Sequence, residues 1–148
     1  MSTIAANRKE MAADSQSTAG STKSRTPRPK VQRINGDLVA AVGSTDIIPR
    51  FFKWYKKGRP EDDKPDLGES FEALVLTPGG LFQYYNRLEP IGIVEAFYAI
   101  GQGSEIALEA MAAGASPERA VEIACELNIY TGLPVLVEHL REDGEEDT

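Results

Sequence analysis

The chain has 148 residues and a mass of 16.1 kDa, enough for one domain with a real hydrophobic core. Hydrophobic residues make up 41% and charged residues 26%, which is globular usage and excludes a wholly disordered chain. A formal net charge of −7 and a pI near 4.8 speak against nucleic acid as the partner.

The single Cys125 excludes a disulfide framework and a multi-cysteine zinc site, and the single His139 excludes a His-rich metal cluster. An enzyme of this composition works with no metal, no cofactor and no histidine base. No apolar stretch approaches the roughly 18 to 20 residues that span a bilayer, so no membrane partner is expected. The polar start, Met1 to Arg8, lacks a signal peptide's apolar core, which predicts a soluble, cytoplasmic protein. The small Ser2 behind Met1 suits removal of the methionine by an aminopeptidase.

In chain order, two short apolar pieces at 3–6 and 11–13 flank Asn7-Arg8-Lys9-Glu10, a hairpin pattern. Residues 15–30 are rich in Ser, Thr and Pro with scattered cations, and composition alone reads them as a flexible linker. Residues 30–34 and 38–42, joined through Asn35-Gly36-Asp37, carry a strong short-range hairpin signal. Ser44, Thr45 and Asp46 offer capping side chains for a helix over 47–57, with Pro49 in its first turn. Its aromatic stripe of Phe51, Phe52, Trp54 and Tyr55 reads as core or subunit contact rather than a cofactor box.

A polar loop over 58–69 precedes a hairpin of 71–76 and 81–85 across Thr77-Pro78-Gly79-Gly80. A strand is expected over 94–100, an Ala-rich helix over 105–113, and a second helix capped by Ser116 with Pro117 at its first position. A last strand over 135–140 leads into an acidic tail, 141–148. Strand runs separated from a helix pair predict an α+β fold, with two antiparallel sheets stacked face to face and helices outside.

Familiar catalytic signatures are missing. Gly101-Gln102-Gly103 lacks the third glycine of a dinucleotide fingerprint, and neither a Walker lysine motif nor a Gly-x-Ser-x-Gly elbow occurs. Cys125 reads as a packed core residue and His139 as a surface one. An N-terminal hydroxyl remains. An N-terminal Ser or Thr can act as a nucleophile because its own α-amine, with a pKa of about 8, takes the hydroxyl proton. A nearby lysine favours the deprotonated forms and an aspartate anchors that lysine. Taken singly, Asp14 also fits a strand-end turn and Lys30 an ordinary surface cation.

Thr3-Ile4-Ala5-Ala6 and the run Met11-Ala12-Ala13-Asp14-Ser15-Gln16-Ser17-Thr18-Ala19-Gly20 together resemble the start of proteasome β subunits. They are also similar to the bacterial proteasome-like peptidase that works with an ATP-driven unfoldase. Lys30-Val31-Gln32-Arg33-Ile34, Val42-Gly43-Ser44, Ala99-Ile100-Gly101-Gln102-Gly103 and Ile129-Tyr130-Thr131-Gly132 extend the resemblance in order and spacing over nearly the whole chain. It implies a four-layer αββα sandwich with one helix layer reduced, formed by a single N-terminal nucleophile hydrolase domain over 1–140.

The resemblance implies peptide hydrolysis with Ser2 as nucleophile once Met1 is gone, Asp14 and Lys30 as its partners, and the Gly43 N–H as oxyanion donor. Ser17 and Thr18 would line the substrate cleft, with Ala41 and Thr45 at the first specificity pocket. The implied partners are an unfolded polypeptide or peptide substrate, copies of the chain in a homo-oligomeric ring contacting through 47–55, and an ATP-dependent unfoldase. The chain departs from the family at Ser2, where threonine is usual, and at Gln102, where a serine is usual. Its first hairpin is shorter, and 58–69 stands where a second helix is expected. A non-catalytic subunit kept for assembly is the alternative these departures leave open.

Overall fold

The computed structural model describes residues 2–19, 22–26 and 28–141. Strands β1 (Thr3–Asn7) and β2 (Glu10–Ala13) form the first hairpin, with the Asn7 side chain accepting the N–H groups of Lys9 and Glu10 in its turn. Strands β3 (Gln16–Ala19) and β4 (Thr22–Arg25) form a second, separate two-stranded sheet. The linker expected over 15–30 is therefore wrong for much of its length. Its polar side chains conceal strands because every β4 residue faces solvent, so no buried face imposes an apolar alternation.

β5 (Val31–Ile34) and β6 (Asp37–Val42) turn through Asn35 and Gly36, both with positive φ as a tight primed turn requires. Helix α1 (Ile48–Lys56) follows. Its expected side-chain cap is absent: the N–H groups of Ile47 and Ile48 are taken by the Ser44 backbone carbonyl instead. After a loop without a second helix, β7 (Glu72–Thr77), β8 (Gly80–Tyr85) and the short β9 (Ile91–Gly92) complete one sheet in the order β5-β6-β7-β8-β9. β9 has no counterpart in the sequence reading, being only two residues long.

β10 (Phe97–Gly101) starts three residues later than expected. It leads into α2 (Ser104–Ala112), α3 (Pro117–Leu127) and β11 (Leu136–His139). Ser116 caps α3 as expected, accepting the Arg119 N–H. These strands form the other large sheet, ordered β10-β1-β2-β11 and antiparallel throughout.

The period-two alternation of side chains sorts the core into layers. Ile4, Ala6 and Met11 meet Leu38, Leu74 and Leu76 between the two large sheets. On the far side of the first sheet, Ala5, Ala12 and Ala99 pack on Ala107, Ala120 and Val121 of the helix pair, small residues that allow close approach. On the far side of the second, Val39, Ala73 and Val75 pack on Phe51, Trp54 and Tyr55. The fold is α+β, a four-layer αββα sandwich whose outer layer over the five-stranded sheet is α1.

The aromatic stripe divides between the two readings it allowed: Phe51, Trp54 and Tyr55 are core, with Phe51 stacked on Phe71 and Tyr84 at centroid distances of 5.0 and 5.8 Å, while Phe52 is half-buried. Only Pro49, Arg50 and Lys53 of that stretch are exposed. Cys125 is half-buried at the rim of the helix–sheet layer rather than within it. His139 is exposed and pairs with Glu10 at 2.8 Å. No helix among the described residues is long and apolar enough to cross a membrane.

Candidate active site

Three chain segments converge at one end of the sandwich. Ser2 stands immediately before β1 and Asp14 immediately after β2, so their pairing draws these two together, and the stacking of the second large sheet on the first brings Lys30, immediately before β5, to them. Lys30 Nζ lies 2.7 Å from Ser2 Oγ, 2.8 Å from Asp14 Oδ1 and 2.6 Å from the Gln16 carbonyl oxygen. Three acceptors around one nitrogen are the environment of an ammonium, which has three donors and no lone pair. Ser2 Oγ is one of the three and accepts from it. Burial pulls the Lys30 pKa below its usual value, while the Asp14 charge pushes it back up.

Asp14 is almost completely buried and saturated with donors. Oδ1 takes the Thr3 N–H at 3.1 Å besides Lys30, and Oδ2 takes the Gln16 and Gly132 N–H groups, each at 3.1 Å. The carboxylate thus ties β1, β3 and the 128–132 turn to one point. Neutral hydrogen bonds from the backbone offset part of the desolvation that a buried carboxylate incurs.

Ser2 is itself clamped. Its carbonyl accepts the Gln102 N–H at 2.8 Å, and Gly101 passes so close that a Cβ there would sit 1.8 Å from the Ser2 oxygen. Gly101 also has φ +97°, a second reason for glycine. The Gln102 side chain is exposed; its contact with Ser2 runs through its backbone. Beneath, the fully buried Thr3 hydroxyl accepts the Gly103 N–H at 3.0 Å and lies 2.7 Å from the Thr131 hydroxyl. Thr131 donates in turn to Asn128 Oδ1 at 3.2 Å, which makes the Thr3 hydroxyl the donor to Thr131. The roles of Thr3, Gln16, Thr131 and Asn128 in this framework are new relative to the sequence reading. In the sequence, Thr3, Gln16 and Thr131 stood only within the runs that resemble the family's.

Ser2 lies where two clefts meet. The larger, about 710 Å³, is lined by Ser17, Ala41, Gly43 and Thr45, with Ile48 and Phe52 of the α1 region supplying an apolar wall. The smaller, about 390 Å³, shares Ser2 and Gly43 and is walled by Glu72, Tyr98, Gln102 and Glu105. Gly43 has φ +147°, a backbone that a side chain rarely tolerates. The side chain of Thr18 lies outside the described residues. Among the described residues no group of His, Cys, Asp and Glu forms a metal site.

No protein-family model matches the sequence, and no curated protein matches it. Solved structures do. The chain superposes on Thiobacillus denitrificans BPH with a TM-score of 0.72 and 23% identity, covering 95% of this chain and 100% of that one. The same protein in complex with epoxomicin gives a TM-score of 0.68 at 24% identity, covering 95% and 99%. HslV from Trypanosoma brucei gives 0.68 at 19% identity, again 95% and 99%. At these identities the likeness concerns the fold: the chain has the HslV-like, proteasome-type architecture that its motif order implied.

Proposed function

We propose that the chain is a proteasome-like peptidase that hydrolyses peptide bonds through Ser2, exposed as the N-terminal residue after removal of Met1. The observation that carries this reading is the 2.7 Å contact of Lys30 Nζ with Ser2 Oγ, with Asp14 fixed to the same ammonium. Since Lys30 donates to the hydroxyl, the proton acceptor is the freed α-amine of Ser2. Ser2 Oγ attacks the scissile carbonyl as its proton passes to that amine. The resulting oxyanion faces the Gly43 N–H, a donation worth about 3 to 4 kcal/mol where such donors have been removed. The C–N bond then breaks, the leaving amine takes the proton, and water hydrolyses the ester on Ser2.

The extended substrate runs along β3 in the larger cleft, with Ser17 and Thr18 beside it and Ala41 and Thr45 at its first pocket. A homo-oligomeric ring, an ATP-dependent unfoldase and cytoplasmic residence belong to the same proposal. So do a single domain over 1–140 and an acidic tail beyond it. The exposed Gln102 side chain, where the family has a serine, favours a second reading: a non-catalytic subunit with an assembly role.

The two readings separate by experiment. Mass spectrometry of the purified protein reports whether Met1 is lost, and fluorogenic peptides report turnover. Hydrolysis by the wild type that Ser2→Ala abolishes supports the peptidase. Retained Met1 with no turnover supports the non-catalytic subunit, and equal turnover by both proteins removes Ser2 from the reaction.

A further inference from the structure

We propose that the groove through Ser2 is electrically polarised, and that it selects peptides with acidic residues before the scissile bond and basic residues after it. The inference rests on the peptidase reading for which cleft holds the acyl part, and it assigns the substrate class of that site. Among the described residues the larger cleft carries two charged side chains, Arg28 and Lys30, both cationic. A third cleft of about 310 Å³ at the β3–β4 hairpin shares Gln16 with it and carries Lys23 and Arg25, again with no carboxylate among the described residues. Across Ser2 the sign reverses, since the charged side chains of the smaller cleft are Glu72 and Glu105.

In a chain of net charge −7, walls that hold no carboxylate among the described residues on one side of Ser2 depart from the average surface. Nor is the polarity cancelled locally. Lys30 is matched by Asp14, but Lys23, Arg25 and Arg28 have no carboxylate within ion-pair distance among the described residues. Neither Glu72 nor Glu105 has a cation so placed, and Glu72 is held by the Gln83 side chain amide. Glu72 is half-buried, and its burial raises its pKa, so an incoming cation also favours its ionised form. A cleft with low-dielectric walls concentrates such fields and steers charged ligands. The leaving peptide carries a new α-amine, cationic at neutral pH, on the side where the carboxylates lie.

The test uses two fluorescent, internally quenched octapeptides of identical composition, one acidic then basic about a central Leu-Ala, the other with the charges exchanged. Binding is read by anisotropy on full-length Ser2→Ala protein, and cleavage on the wild type. The acidic-then-basic peptide should bind about fivefold to tenfold tighter at about 50 mM salt, a contrast that largely disappears at about 500 mM. Glu72→Gln with Glu105→Gln should weaken binding of that peptide, as should Lys23→Gln with Arg28→Gln, while a neutral peptide binds all proteins alike. Equal binding of the two peptides, preference for the exchanged one, or a contrast untouched by both double substitutions overturns the proposal. A binding contrast with no cleavage of either peptide upholds the polarity and overturns the peptidase reading instead.

Discussion

Replacing Asp14 by Asn tests the framework of the site, because it keeps the shape and removes one acceptor atom and the charge. Two carboxylate oxygens now receive four donors: Lys30 Nζ and the Thr3 N–H on one, the Gln16 and Gly132 N–H groups on the other. In either orientation an Asn amide turns its NH₂ toward two of them. The less costly orientation keeps the oxygen on Lys30 and abandons two backbone N–H groups, a loss of about 1–3 kcal/mol each when they stay unsatisfied. The buried Lys30 also loses its counter-charge, and breaking such pairs costs about 3–5 kcal/mol. The two effects overlap, and a net loss of about 3–5 kcal/mol is expected, or about 10–15 °C in Tm for a domain of this size. Urea unfolding with linear extrapolation measures it. The variant also loses the influence that holds Lys30 up, so its lysine sheds a proton at lower pH than in the wild type. Below the usual lysine value the unfolded chain then holds a proton the native state lacks, and stability rises with pH over a wider window. A loss under about 1 kcal/mol with an unchanged pH profile would refute the account of Asp14 as the tie between three segments.

Other substitutions probe the surroundings. Thr3→Val leaves the Gly103 N–H without its acceptor and should cost about 1–3 kcal/mol in urea unfolding. Gly101→Ala drives a methyl group into the Ser2 carbonyl, and loss of both stability and peptide hydrolysis is expected in thermal melts and assays. Burial pushes the Cys125 thiol up to about 11. The folded protein therefore keeps a proton that the unfolded chain releases near pH 9, and stability falls as pH rises from about 9 to 11. Cys125→Ala should flatten that decline in chemical denaturation across the same range.

Those positions also mark what could be read from the chain alone. Turn chemistry was legible where glycine or proline enforces it, as at Asn35-Gly36 and at Ser116-Pro117, and both elements stand as expected. The meeting of Ser2, Asp14 and Lys30 was legible because their order and spacing match a known pattern. The supports were not. The Gln16 carbonyl and the Gly132 N–H, which hold Lys30 and Asp14, belong to the backbone and leave no trace in residue identity. The β3–β4 hairpin was hidden for a related reason: its pairing is main-chain, and its side chains report solvent. The charge reversal across Ser2 needed tertiary structure, since Arg28, Glu72 and Glu105 are far apart in the chain.

The position of β1 has a consequence for how the protein is made. It lies in the interior of its sheet, flanked by β2 and by β10, and Thr3 is aligned with Gly101. Strand β1 must therefore wait for β10, far along the chain, before its seat is complete, a topology associated with slow folding. Until β10 docks, β1 keeps one edge unpaired, and the Ser2 carbonyl lacks the Gln102 N–H that later holds it.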